Sequence, residues 1–116
     1  MDAEALTRFR SLLDEERAFL RAQIAEHGGD PDDPERMQVE FEEAFADSGQ
    51  AASERAEAIA VLEGLHQNLH AVDQAVARIE AGTYGRCTRC GKEIGLERLE
   101  AIPSSALCIE CKQRYG

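Results

Sequence analysis

The sequence predicts a mainly α-helical protein: an antiparallel helical hairpin (a coiled coil) followed by a small C-terminal four-cysteine zinc finger. Three observations carry this expectation. Long stretches rich in Ala, Glu, Leu and Arg place apolar residues at three- and four-residue steps, the period of an amphipathic helix. Aromatic residues make up only 5% of the 116 residues and Trp is absent, which leaves little for a thick globular core. All four cysteines fall in the last thirty residues, as two C-x-x-C pairs. The expected organisation is a hairpin over 1–82, with an acidic tip near 47–52, and a finger over 83–116.

Asp2 can cap a first helix whose first turn carries Glu4. Leu6, Phe9, Leu13, Leu20 and Ile24 form its apolar stripe, and Gly28-Gly29 is a stop signal. The stretch "GGDPDDP" (28–34) is the clearest internal break. There Asp33 reads as an N-cap and Pro34 as the first residue of a new helical segment. Met37, Phe41 and Phe45 are the apolar line of that segment. The longest pattern runs from Ala51 to Ala81, with Ile59, Leu62, Leu65, Leu69, Val72, Val76 and Ile79 on one face and Gly82 after its end.

Such single-striped helices are stable only when the stripes face each other. A hairpin turning near 47–51 achieves this and sets positions whose numbers sum to about 98 opposite one another, with the 28–34 break facing Gly64. A three-helix bundle with turns at both 28–33 and 47–51 uses the same stripes.

Charge narrows the function classes. The net charge of −10 is concentrated in residues 1–57, which hold sixteen acids and six bases. Residues 27–54 hold nine acids against Arg36 alone. Such a surface repels a nucleic-acid backbone, so direct nucleic-acid binding is not expected. It suits either a solvated face or an acidic prong for a basic cavity. No apolar run approaches the ~20 residues a membrane span needs, and no signal-peptide pattern opens the chain. The expected compartment is the cytosol, where clustered cysteines more often hold metal than form disulfides.

Cys87 and Cys90, then seventeen residues, then Cys108 and Cys111, fit the spacing of a tetrahedral four-thiolate zinc site. Gly91 follows the first pair, where the chain must turn sharply. The segment has little else to fold with: Ile94, Leu96, Leu99, Ile102 and Leu107 are its apolar residues, so one structural Zn2+ would supply the missing free energy. Four protein ligands leave no open position for water. A thioredoxin-like redox pair is disfavoured, because no βαβ pattern surrounds either pair. Glu63, His66 and His70 share a helix face, but a di-iron site needs two Glu-x-x-His motifs and here there is one; they read as histidines at the edge of the seam. No phosphate loop and no nucleophile–base pair is present, so an enzyme is not expected.

The stretch "IEAGTYGRCTRCGKEIGLERLEAIPSSALCIEC" (79–111) resembles the signature of the DksA/TraR family of bacterial zinc-finger proteins. The resemblance is specific there and architectural over 1–78. It implies a transcription regulator that binds RNA polymerase rather than DNA, its coiled coil entering the secondary channel and its acidic tip approaching the catalytic magnesium. It also implies modulation of initiation, with the alarmone ppGpp acting jointly. The family's tip carries two aspartates three apart and then an alanine. In "FADSGQAASE" (45–54), Asp47 matches the first aspartate and Ala52 the alanine, while Gln50 stands where the second aspartate belongs. Asp47 and Gln50 also suit a helix cap, with Gln50 reaching back. Any C-terminal helix that longer members pack on the coil is expected to be absent. Two other readings remain: a zinc-thiolate redox sensor, or a helical adaptor for a different protein partner.

Overall fold

A computed structural model describes residues 1–35 and 51–116. Among the described residues, four helices have both ends defined: α1 (Ala3–Glu26), α2 (Ala51–Ala81), α3 (Leu96–Ala101) and α4 (Ile109–Tyr115). Among the described residues β-structure is limited to isolated bridges, Asp30 with Asp33 and Arg86 with Glu93. The protein is mainly α-helical.

Both long helices begin or end where local chemistry dictates. The Ala5 N–H donates to the Asp2 carboxylate at 2.8 Å, so Asp2 caps α1. At the other end the Gly29 N–H reaches Ile24 O (2.8 Å) and the Gly28 N–H reaches Ala25 O (3.0 Å), the paired bonds of a Schellman stop. The same pair closes α2: Thr83 N–H to Arg78 O and Gly82 N–H to Ile79 O. Gly82 sits at φ 79°, a backbone region that a residue with a Cβ enters only at a cost.

The chain divides into two compact units. The first joins Met1–Arg17 to His70–Gly116. Its core takes Phe9 and Leu13 from α1, Val72, Ala75 and Val76 from α2, and Tyr84, Ile94 and Leu99 from the finger. The rings of Phe9 and Tyr84 lie 5.7 Å apart and tilted by 47°. Arg10 pairs with Glu80 at 3.5 Å and Arg17 with Asp73 at 2.8 Å. Each pair sums to 90, so α1 and α2 run antiparallel here, in a register eight short of the expected 98. Residues spent in a turn do not advance along the helix axis, and the described break at 28–34, turning on Asp30, is one such place.

The second unit, Ala18–Leu69, buries Leu20, Ile24, Leu62 and Leu69. Between α1 and the next helical residues the chain turns on Asp30. Its carboxylate accepts from the Asp32 N–H at 2.9 Å, and its carbonyl from the Asp33 N–H at 3.1 Å. Arg21 reaches Asp32 at 3.0 Å. Pro34 and Glu35 are helical, as the capping pattern predicts. The apolar line Met37, Phe41 and Phe45 lies outside the described residues. So do Asp47 and Gln50.

Candidate metal centre

The finger is built on two tight turns facing each other. In the first, the Cys87 N–H bonds to Lys92 O (2.8 Å) and the Gly91 N–H returns to Cys87 O (3.0 Å). Gly91 takes φ 78° to allow this. The flanking chain pairs through the Ile94 N–H to Gly85 O at 2.9 Å. In the second turn Cys108 stands at the N-terminus of α4 and Cys111 lies within its first turn, so α4 itself sets their spacing.

These turns bring the four sulfurs together, all within 4.8 Å of one another. Cys90 and Cys108 Sγ are 3.7 Å apart. A tetrahedron of sulfurs about 2.3 Å from one ion has edges of about 3.8 Å, whereas a disulfide needs about 2.05 Å. The sulfurs are therefore spaced to share an ion, and the all-sulfur donor set fits one Zn2+. Three of the cysteines are buried and Cys90 is exposed. When bound, zinc supplies a structural crosslink between the two turns.

The polypeptide prepares the sulfurs for that role. Backbone hydrogen bonds from Cys90, and also from Cys108 and Arg89, bring the Cys87 thiol down to about 6, although burial opposes them. Burial pushes the Cys111 thiol up to about 12, and its hydrogen bonds to Cys108, Cys87 and Cys90 add to this. Within the cluster, Cys87 is thus the thiol most readily ionised and Cys111 the least.

Four side chains to which the sequence assigned no individual role hold the second turn in place. Residues 103–107 form no helix or strand, so their carbonyls need other partners. The Tyr84 hydroxyl donates to Pro103 O at 2.7 Å, Arg78 Nη2 to Ser105 O at 3.4 Å, and Arg98 Nε to Leu107 O at 3.1 Å. Thr88 donates to Ala106 O through both its N–H (2.8 Å) and its hydroxyl (3.2 Å), joining the first turn to the second. Tyr84, Thr88 and Arg98 lie inside the 79–111 signature and Arg78 just before it, but nothing in their local pattern names the carbonyls they reach.

Of the finger's apolar residues, Ile94 and Leu99 are buried, but Leu96 and Ile102 are half exposed. The small core relies on Phe9 and the α2 residues instead. Ala52 lies exposed in the first turn of α2. Among the described residues, the potential metal ligands that gather into one site are the four cysteines; Glu63, His66 and His70 do not. No described helix is long and apolar enough to cross a membrane.

A closed four-thiolate centre, packed on an antiparallel helix pair, defines a C4 zinc-finger protein with a helical arm. The prokaryotic dksA/traR C4-type zinc finger matches residues 82–115. The solved structure of transcription factor DksA2 from Pseudomonas aeruginosa superposes with a TM-score of 0.74, at 35% identity, covering 98% of this chain and 84% of that one. The chain belongs to the DksA/TraR family. It is also 34% identical over 71 residues to the RNA polymerase-binding transcription factor DksA of Caulobacter vibrioides, covering 61% of this chain and 50% of that protein. To the protein of that name in Escherichia coli K12 it is 44% identical over 41 residues, 35% of this chain and 27% of the other. The match thus spans half or less of the length of these curated relatives.

Proposed function

We propose that this protein is a transcription regulator that binds RNA polymerase through its secondary channel and modulates initiation, acting in the cytoplasm where polymerase works. The observation that carries this reading is the whole-chain likeness to DksA2, finger and helical arm together. The names of the Caulobacter and Escherichia relatives, which bind RNA polymerase, support it. The finger serves as a rigid base held by Cys87, Cys90, Cys108 and Cys111, and the arm, residues 1–82, presents its acidic stretch to a basic cavity. On this reading Asp47, Gln50 and Ala52 are the residues that meet the enzyme. ppGpp joins as a shared effector of the complex. The direct test is co-elution of the zinc-loaded protein with purified polymerase, followed by transcription from a defined promoter with and without ppGpp. Failure to co-elute at micromolar concentration would turn the reading toward a helical adaptor for another protein, a role to which Gln50 at the tip lends some support.

A further inference from the structure

We infer that Arg89, Lys92 and Arg114, gathered beside the exposed ligand Cys90, are the countercharges of the zinc centre and set how tightly it holds its metal. This rests on the reading of the four cysteines as the zinc site. Four thiolates around Zn2+ leave a formal charge of −2 on the centre. Residues 83–116 carry six basic and four acidic side chains, net +2, within a chain of net −10. The finger is thus cationic by the amount its metal centre is anionic, in a protein that elsewhere accumulates acids.

Three of those six cations converge on one open groove of about 730 Å³, whose wall includes Cys90 and Cys111. Their placement is supported locally. The Arg89 guanidinium lies 3.5 Å over the Tyr115 ring, which fixes a side chain that would otherwise range through solvent. Lys92 follows Cys90 by two residues and lies 3.8 Å from Glu110, the one acid on the groove. Arg114 stands one turn after Cys111 on α4. When the cysteines close on zinc the site gains negative charge, so cations facing it favour the loaded state and Glu110 opposes it. Because the groove is open to solvent, the effect must be strong at low salt and fade as salt screens it. The groove is therefore the metal centre's electrostatic shell, and Cys90 is the ligand through which that shell acts most directly.

The test is the zinc affinity of the full-length protein, measured by competition with a chromophoric chelator at fixed pH. Arg89→Gln/Arg114→Gln is expected to bind zinc about tenfold more weakly than wild type at low salt, the difference collapsing near 1 M salt. Glu110→Gln is expected to shift the affinity the opposite way, which a merely structural role would not do. Arg89→Lys/Arg114→Lys should restore the wild-type value. Lys92→Gln, whose side chain is 71% exposed and takes no part in the core, should show a smaller shift of the same sign as the double variant. Equal affinities at low salt, a loss that salt does not abolish, or a loss shared by the lysine variant would each overturn the inference. If the wild-type protein itself takes up no zinc, the reading of the metal site fails instead, and metal stoichiometry separates that case from the others.

Discussion

Tyr84 donates its hydroxyl to the Pro103 carbonyl at 2.7 Å while its ring leans on Phe9, 5.7 Å away in α1. One side chain thereby joins the first helix to the segment that leads into the second pair of cysteines. Tyr84 is 7% exposed and its bond is part-buried, so losing it weakens the tie on the Pro103 carbonyl.

Tyr84→Phe is therefore expected to destabilise the protein by about 1–2 kcal/mol while keeping the aromatic contact. Chemical denaturation of the zinc-loaded protein measures this. Burial holds the Tyr84 phenol up to about 12, against the opposing influence of Arg78. Folding thus favours the neutral phenol, and the associated stability is present below pH 10 and lost as pH rises toward 12. Ultraviolet titration should show one tyrosine ionising late, and that late step should vanish in the variant.

Gly82→Ala tests the end of α2. A Cβ there meets nothing within 4 Å, so crowding adds nothing to the cost of holding φ 79°. The expected loss is about 1 kcal/mol, from backbone conformation alone. A loss several times larger would mean that the residue contacts something the folded chain does not show.

Replacing Cys108 by Ser is expected to abolish stoichiometric zinc binding and unfold the finger, because the segment buries too little apolar surface to fold alone. Elemental analysis and the near-ultraviolet signal of Tyr84 report the two effects. Zinc uptake at neutral pH should release protons, with Cys111 among the donors, since burial and its neighbouring cysteines raise its thiol. Chelation should remove only part of the far-ultraviolet helical signal, as the α1 and α2 stripes need no metal. Complete loss of helicity would make arm and finger one cooperative unit.

Under the proposed function, Asp47→Asn can still cap a helix but brings no charge to a divalent ion. If the tip works inside polymerase, this variant keeps the fold and polymerase binding but loses the effect on transcription. Gln50→Asp, which restores a second carboxylate, should strengthen that effect. No change from either variant in a purified transcription assay would reduce Asp47 to a cap.

Much of the architecture is legible in order along the chain because its determinants are local. Asp2 as cap, the stop at Gly28-Gly29, the restart at Pro34 and the run from Ala51 to Gly82 each depend on residues within one or two turns, where hydrogen-bond geometry leaves few choices. The cysteine spacing is equally local within each pair, since two sulfurs three residues apart can meet one ion only on a tight turn or a helix's first turn. The residues that elude such reading act across distance. Arg78, Tyr84, Thr88 and Arg98 hold carbonyls from nine to twenty-seven residues away, and no periodicity announces them.

The amphipathic stripes and the four thiolates required helices that pair and a finger that closes on metal, because an apolar face and a bare core of 34 residues are each unstable alone. Folding in three dimensions decided the rest. It set the register at Arg10–Glu80 and Arg17–Asp73, because which side chains meet across a helix pair is fixed only when the helices pack. It left Leu96 and Ile102 half exposed while drawing Phe9 against Tyr84, because the finger completes its core with the helices it stands on. It also brought Arg89, Lys92 and Arg114 to the groove that Cys90 lines, because only the closed pair of turns brings residues 89 and 114 to one groove.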